Sequence, residues 1–129
     1  MGYETIRYEK ADPKIGILTL NRPDAYNAVN HLMMEELEAF WRERLLDLET
    51  LVIILKSEGK GFCAGLDMKE TMSTMVNWGA SEAYRFQARL ARLNLLMRQV
   101  PQPIITAVHG AAAGQGFSFV LSSDIRVAS

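Results

Sequence analysis

Apolar residues along the chain change their period several times, and each change marks an element. From Tyr3 to Glu9 they loosely alternate with polar ones, Asp12-Pro13-Lys14 reads as a turn, and Ile15-Gly16-Ile17-Leu18-Thr19-Leu20 reads as a second strand. That pattern predicts a hairpin. Asn21-Arg22-Pro23-Asp24 ends it, because Pro23 has no amide hydrogen for a ladder bond. The period then lengthens. Met33, Leu37, Phe40, Trp41, Arg44, Leu45 and Leu48 recur at helical spacing behind Asn30, a good N-cap, and acidic and basic residues occupy the other face. Leu51-Val52-Ile53-Ile54-Leu55 is a continuous β-branched run, the signature of a strand covered on both faces.

A second long helix is predicted from near Ser81, with Phe86, Leu90, Leu93, Met97 and Val100 stepping by four and three along one core-facing stripe. Pro101 and Pro103 stop it, and Ile104-Ile105-Thr106-Ala107-Val108 forms another buried strand. A last strand begins at Asp124-Ile125-Arg126-Val127. Between these elements lie two glycine-rich loops. Glu58 to Glu70 contains Gly59, Gly61 and Gly65, and Gly110 to Phe117 contains Gly110, Gly114 and Gly116. The sequence therefore repeats one unit: helix, apolar strand, glycine-rich loop, helix start.

Composition narrows the class. At 129 residues the chain suits one domain, and with 49% apolar and 22% charged residues it reads as globular. Its 14 basic and 15 acidic residues nearly cancel, which argues against nucleic acid or an anionic membrane as partner. A single cysteine, Cys63, allows no internal disulfide, and with no signal-peptide pattern the expected location is cytoplasmic. Two histidines, His31 and His109, predict no metal cluster and no catalytic triad by spacing. Cys63 reads as a small buried hydrophobe and Trp41 as packing. Trp78, in Asn77-Trp78-Gly79, reads as packing with a ligand-pocket wall as the alternative, and Asp124 as a maker of structural bonds near the second loop.

The loops carry the candidate chemistry. A strand, a small-residue loop and a helix start turn unpaired amide hydrogens toward one point. Two such loops on neighbouring strands can aim two amides at one oxygen, a geometry that stabilises an anion developing on a carbonyl. The alternative is a pair of tight turns that use glycine for steric reasons. Gly114-Gln115-Gly116-Phe117-Ser118-Phe119 fails the dinucleotide fingerprint because Phe119 replaces its third glycine.

Three segments together settle on a family. Asn21-Arg22-Pro23-Asp24-Ala25-Tyr26-Asn27-Ala28, Gly61-Phe62-Cys63-Ala64-Gly65-Leu66-Asp67-Met68-Lys69 and the run from Gly110 to Asp124 resemble the crotonase, or enoyl-CoA hydratase/isomerase, superfamily in order and spacing. The resemblance implies an α/β fold, a spiral of ββα units, of which residues 1–129 are the N-terminal part of a single acyl-CoA-binding domain. It implies no cofactor beyond a coenzyme A thioester as substrate, and assembly as a homotrimer or hexamer. By motif position the oxyanion amides are those of Leu66 and Gln115. Arg22, Ala25, Tyr26, Ala28, Ala64, Asp67, Met68 and Gly114 fall where the family binds substrate and CoA, with Asp67 also fixing the loop.

Two departures shape the expected function. Hydratases of the family carry a glutamate where this chain has Ser118, and a serine hydroxyl does not serve as acid or base near neutral pH. The resemblance therefore implies chemistry that is more isomerase-like than hydratase-like. The alternatives are a non-catalytic CoA-binding or assembly subunit and a dehalogenase- or hydrolase-type member. The second departure is length: the chain ends partway through the family's domain, so the C-terminal half is expected elsewhere.

Overall fold

A computed structural model describes residues 2–129. Strands β1 (Ile6–Asp12) and β2 (Ile15–Leu20) form the expected hairpin, with the first strand starting and ending three residues later than the alternation suggested. Tyr8 faces Leu18 in the antiparallel register, and the ladder shifts between Lys10 and Asp12. The carboxylate of Asp12 accepts the Lys14 amide at 2.9 Å, which closes the turn without a glycine.

From β2 the chain runs through a short 3₁₀ turn, Pro23–Ala25, into helix α1 (His31–Arg44). Asn30 caps α1 by accepting the Met33 amide at 2.9 Å, as predicted. The helix stops at Arg44, short of the expected stripe, and Leu48 is 82% exposed. The reason is local. Asp47 accepts the Glu49 and Thr50 amides, each at 3.0 Å, and this Asx turn competes with further helix.

Strand β3 (Val52–Ser57) pairs parallel with β2, β4 (Ile104–Val108) parallel with β3, and β5 (Ile125–Ala128) parallel with β4, so the five strands lie in sequence order. The connections are helical. Helices α2 (Met68–Met75) and α3 (Ala80–Gln99) join β3 to β4, and α4 (Gln115–Leu121) joins β4 to β5.

Burial alternates along β3, with Ile53, Leu55 and Ser57 buried and Val52, Ile54 and Lys56 half-buried. One face of the sheet, with Leu18, Leu20, Ile53, Leu55 and Ile104, packs against Met33, Leu37, Phe40 and Trp41 of α1 and Leu90, Leu93 and Met97 of α3. The other face, with Ile17, Ile54 and Ile105 in one cross-strand row, is only half covered among the described residues. This corrects the expectation of a strand buried on both faces. Hydrophobicity marks a face as apolar; it does not supply the element that covers it. The stripe on α3 is core, as expected, and α1 packs directly on α3. Each fully buried aromatic or aliphatic side chain here contributes about 1.5–3 kcal/mol relative to exposure.

Candidate active site

The parallel pairing of β3 with β4 sets the two glycine-rich loops side by side at the strands' C-terminal ends. They are knitted together as a miniature parallel bridge between Cys63 and Ala112. The Cys63 amide donates to the Ala111 carbonyl at 3.1 Å, and the Ala113 amide donates to the Cys63 carbonyl at 3.0 Å. Past this bridge each chain turns away into a helix. Gly65 makes its turn with φ +100°, and a Cβ built there would lie 2.9 Å from the Ala113 carbonyl oxygen and 3.6 Å from the Gln115 nitrogen. Positive φ and the close approach both require glycine at this position.

Two amides emerge from this packing without partners. Leu66 precedes Asp67, the N-cap of α2, and Gln115 is the first residue of α4 behind Gly114. Among the described residues, neither the Leu66 N–H nor the Gln115 N–H donates to a protein acceptor, while the Ala64, Asp67 and Gly116 amides around them all do. Both sit at helix starts, where the partial positive charge of the backbone favours an anion.

A third segment braces the first loop. Val29 bridges Leu66: its amide donates to the Gly65 carbonyl at 2.7 Å, and its carbonyl accepts the Asp67 amide at 2.9 Å. The Ala64 amide donates to the Tyr26 carbonyl at 3.0 Å. Arg22 reaches across to the same loop, donating from Nη2 to Asp67 at 3.1 Å and from Nη1 to the Ala28 carbonyl. The Arg22 guanidinium thus serves as a brace between segments, and a CoA phosphate at this arginine would compete with Asp67 for it. Burial raises the Asp67 pKa, but the Glu70 amide and then the Arg22 hydrogen bond and charge outweigh it and hold the carboxyl below its ordinary value.

The candidate substrate residues gather around this junction. Ala25 is half-buried in the 3₁₀ turn, Ala28 is buried, and Tyr26, Ala64, Met68 and Gly114 are exposed. Ser118 lies one turn into α4, half-buried, with its hydroxyl toward the Gly114 carbonyl at 3.4 Å. Cys63 is fully buried, and burial pushes its thiol pKa up. Trp78 tilts against Phe86 with ring centroids 5.0 Å apart, and with Val29, Met34 and Thr71 they line a pocket of about 430 Å³. Asp124 makes structural bonds, but away from the second loop: it accepts the Ile104 amide at 2.8 Å and the Arg98 guanidinium at 2.9 Å.

Asn27 was not singled out by sequence reasoning, and it organises the site. Fully buried at φ +55°, it accepts the Arg22 amide at 2.7 Å and donates to the Glu58 and Gly61 carbonyls at 2.7 and 3.1 Å. The one signal available was its residue type: asparagine tolerates a left-handed turn and can bond backbone on both sides.

A model of the enoyl-CoA hydratase/isomerase family matches residues 15–129. The chain belongs to the enoyl-CoA hydratase/isomerase family. A probable enoyl-CoA hydratase of Mycobacterium leprae is 33% identical over 120 residues, covering 91% of this chain and 41% of that protein. A probable enoyl-CoA hydratase of Rhodobacter capsulatus is 35% identical over 133 residues, covering 99% of this chain and 47% of that protein. The crystal structure of a putative enoyl-CoA hydratase from Streptomyces coelicolor superposes with a TM-score of 0.91 at 29% identity, over 98% of this chain and 46% of that one. The crotonase-like spiral expected from the motifs is therefore the fold, and the chain spans less than half the length of these relatives.

Proposed function

We propose that this chain carries the enolate-stabilising half of an acyl-CoA active site, with isomerase-type chemistry favoured over hydration. The observation that supports the reading is the pair of unpartnered amides, Leu66 and Gln115, held together by the Cys63–Ala112 bridge. A thioester carbonyl oxygen placed between them accepts two hydrogen bonds, and these strengthen as proton loss from the α-carbon turns that oxygen into an enolate. One such donor is worth about 10²–10³ in rate. Because the donors are backbone, the leucine and glutamine side chains are compatible with the role.

Ser118 supports the preference within the family. Hydration needs a group that delivers a proton while water adds, and such a group contributes about 10²–10⁴ in rate. A neutral hydroxyl aimed at the Gly114 carbonyl supplies none of it. Double-bond migration needs one base, which the remainder of the family domain would provide. Ala25, Tyr26, Ala28, Ala64 and Met68, carried over by motif position, form the CoA-binding rim in this reading. Gly114 shapes the Gln115 approach, and Arg22 and Asp67 hold the Leu66 loop. Trimeric or hexameric assembly belongs to the same proposal.

The test is Gln115→Pro, which deletes one amide at a first helical position, where proline is well tolerated. In the full domain, turnover of 3-enoyl-CoA falls at least about 10²-fold while the thermal midpoint holds. Full turnover in a folded variant refutes the oxyanion role. The second reading, a non-catalytic CoA-binding or assembly subunit, is also motivated by Ser118. It gains if the parent protein binds acyl-CoA yet converts no enoyl- or haloacyl-CoA; haloacyl-CoA turnover alone moves the assignment to a dehalogenase-type member.

A further inference from the structure

The Gln115 amide opens a short helix directly behind a glycine turn. Glycines flank it at positions 114 and 116, Gly114 adopts φ +54° and ψ −124°, and α4 has only seven residues and no side-chain cap. The peptide plane between Gly114 and Gln115 has no Cβ on its Gly114 side, and its carbonyl end is held by the Ser118 amide at 3.0 Å. A preorganised donor needs the tilt of that plane fixed, since a donor that must reorient during reaction loses much of its value.

One side chain reaches from this plane to rigid structure. The Gln115 carboxamide donates from Nε2 to Asn94 Oδ1 at 3.3 Å. Asn94 stands on α3, a helix of 20 residues anchored in the core by Leu90, Leu93, Leu96 and Met97, and its own Nδ2 lies 3.5 Å from the Leu90 carbonyl. Both members are half-buried, which shields the bond from full competition by water. The Asn94–Gln115 bond thus ties the first residue of the short helix α4 to the long, core-anchored helix α3.

We infer that Asn94 is a positioning residue that aims the Gln115 amide by holding the Gln115 side chain. The inference rests on the oxyanion reading for its catalytic consequence, but not for its physical content. Asn94→Leu removes the acceptor at similar volume, Gln115→Met removes the donor, and the double variant closes a cycle. The first arm is ¹⁵N relaxation on the full domain. In the parent, the Gln115 N–H has the order parameter of rigid backbone, about 0.85, and in each single variant it falls toward about 0.6. The Leu90 and Leu93 amides keep theirs, and the double variant is no looser than either single. The second arm is turnover of 3-enoyl-CoA in the full domain. There each single variant lowers kcat about tenfold at unchanged KM and thermal midpoint, a fraction of the loss from deleting the donor, and the double variant falls no further.

An unchanged Gln115 order parameter in the single variants, or losses that add in the double, overturns the inference. A shift in thermal midpoint with rigid Gln115 and unchanged kcat also overturns it, reducing the bond to a tie between α3 and α4. If the parent turns over no acyl-CoA, the proposed function fails by itself, and the relaxation arm still decides whether Asn94 holds Gln115.

Discussion

Gly116→Ala tests the closeness of the two loops more directly than any other single change. Gly116 lies inside α4 and has no positive φ, so by helix propensity alone alanine stabilises it by about 1 kcal/mol. Packing says the opposite. A Cβ on Gly116 would stand 2.4 Å from the Cys63 carbonyl oxygen and 2.6 Å from the Cys63 Cβ. Ordinary contact is roughly 3.5 Å, so α4 must move away from the first loop by about 1 Å. Neither contact is the free end of a flexible side chain, so nothing yields cheaply. Overpacking of this kind costs about 1–3 kcal/mol. The separation also strains the Cys63–Ala111 and Ala113–Cys63 hydrogen bonds, at about 1 kcal/mol each. Set against the propensity gain, the net loss is about 2–4 kcal/mol, which lowers the thermal midpoint by about 10 °C or more in a domain of this size. Urea unfolding followed by far-ultraviolet circular dichroism reads the change, with an unaltered m-value showing that the same surface unfolds. A Gly116→Ala protein as stable as the parent, or more stable, refutes the packing argument. In the active full domain, a 1 Å displacement of the Gln115 amide carries a further loss of about 10²-fold in turnover.

Three further outcomes are expected. Asp67 has a depressed pKa, so the stability it contributes is present above the ordinary carboxylate range, about 4, and is lost as pH falls through its lower folded value. Asp67→Asn flattens that acid limb of a pH series of urea midpoints, and an unchanged limb removes Asp67 from the account, leaving Asp47 and Glu58, whose pKa values are also lowered, as the candidates. Asn27→Leu leaves the Glu58 carbonyl and the Arg22 amide without their partner and the Gly61 carbonyl with only the Ser57 hydroxyl, a loss of about 2–4 kcal/mol in chemical denaturation, and a loss below about 0.5 kcal/mol contradicts the network. Cys63, buried with a raised pKa, reacts with a thiol reagent only on unfolding, so its labelling rate in the native chain follows global opening, and fast native labelling shows an open loop instead.

Much of this molecule is legible from one dimension. The hairpin, the Asn30 cap, the core stripe of α3 and the two loops that follow apolar strands are local, because each depends on the spacing of a few neighbouring residues. The three motif segments name the family for the same reason: glycines and small residues recur wherever backbone must approach backbone. Where α1 ends was less legible, because Leu45 and Leu48 continue the helical spacing while Asp47 folds the backbone into an Asx turn. The strand β3 misled differently, since its apolar run continues on both faces while, among the described residues, one face is buried and the other half-buried.

The sequence by itself determined which segments become helix, strand and glycine turn, since those choices follow from local sterics and the period of apolar residues. The resemblance of the motif segments implies that the candidate donors are the backbone amides of Leu66 and Gln115. Tertiary structure decided everything that depends on distance between remote residues. Parallel pairing of β3 with β4 brings Gly65 against Ala113 and Gln115 and leaves two amides without partners. Arg22 is bound to Asp67, 45 positions away, which no spacing rule could assign, and Gln115 is tied to Asn94 across 21 positions. A hydrogen bond is chosen by geometry within about 3 Å. Residue order constrains that geometry only after the sheet has closed.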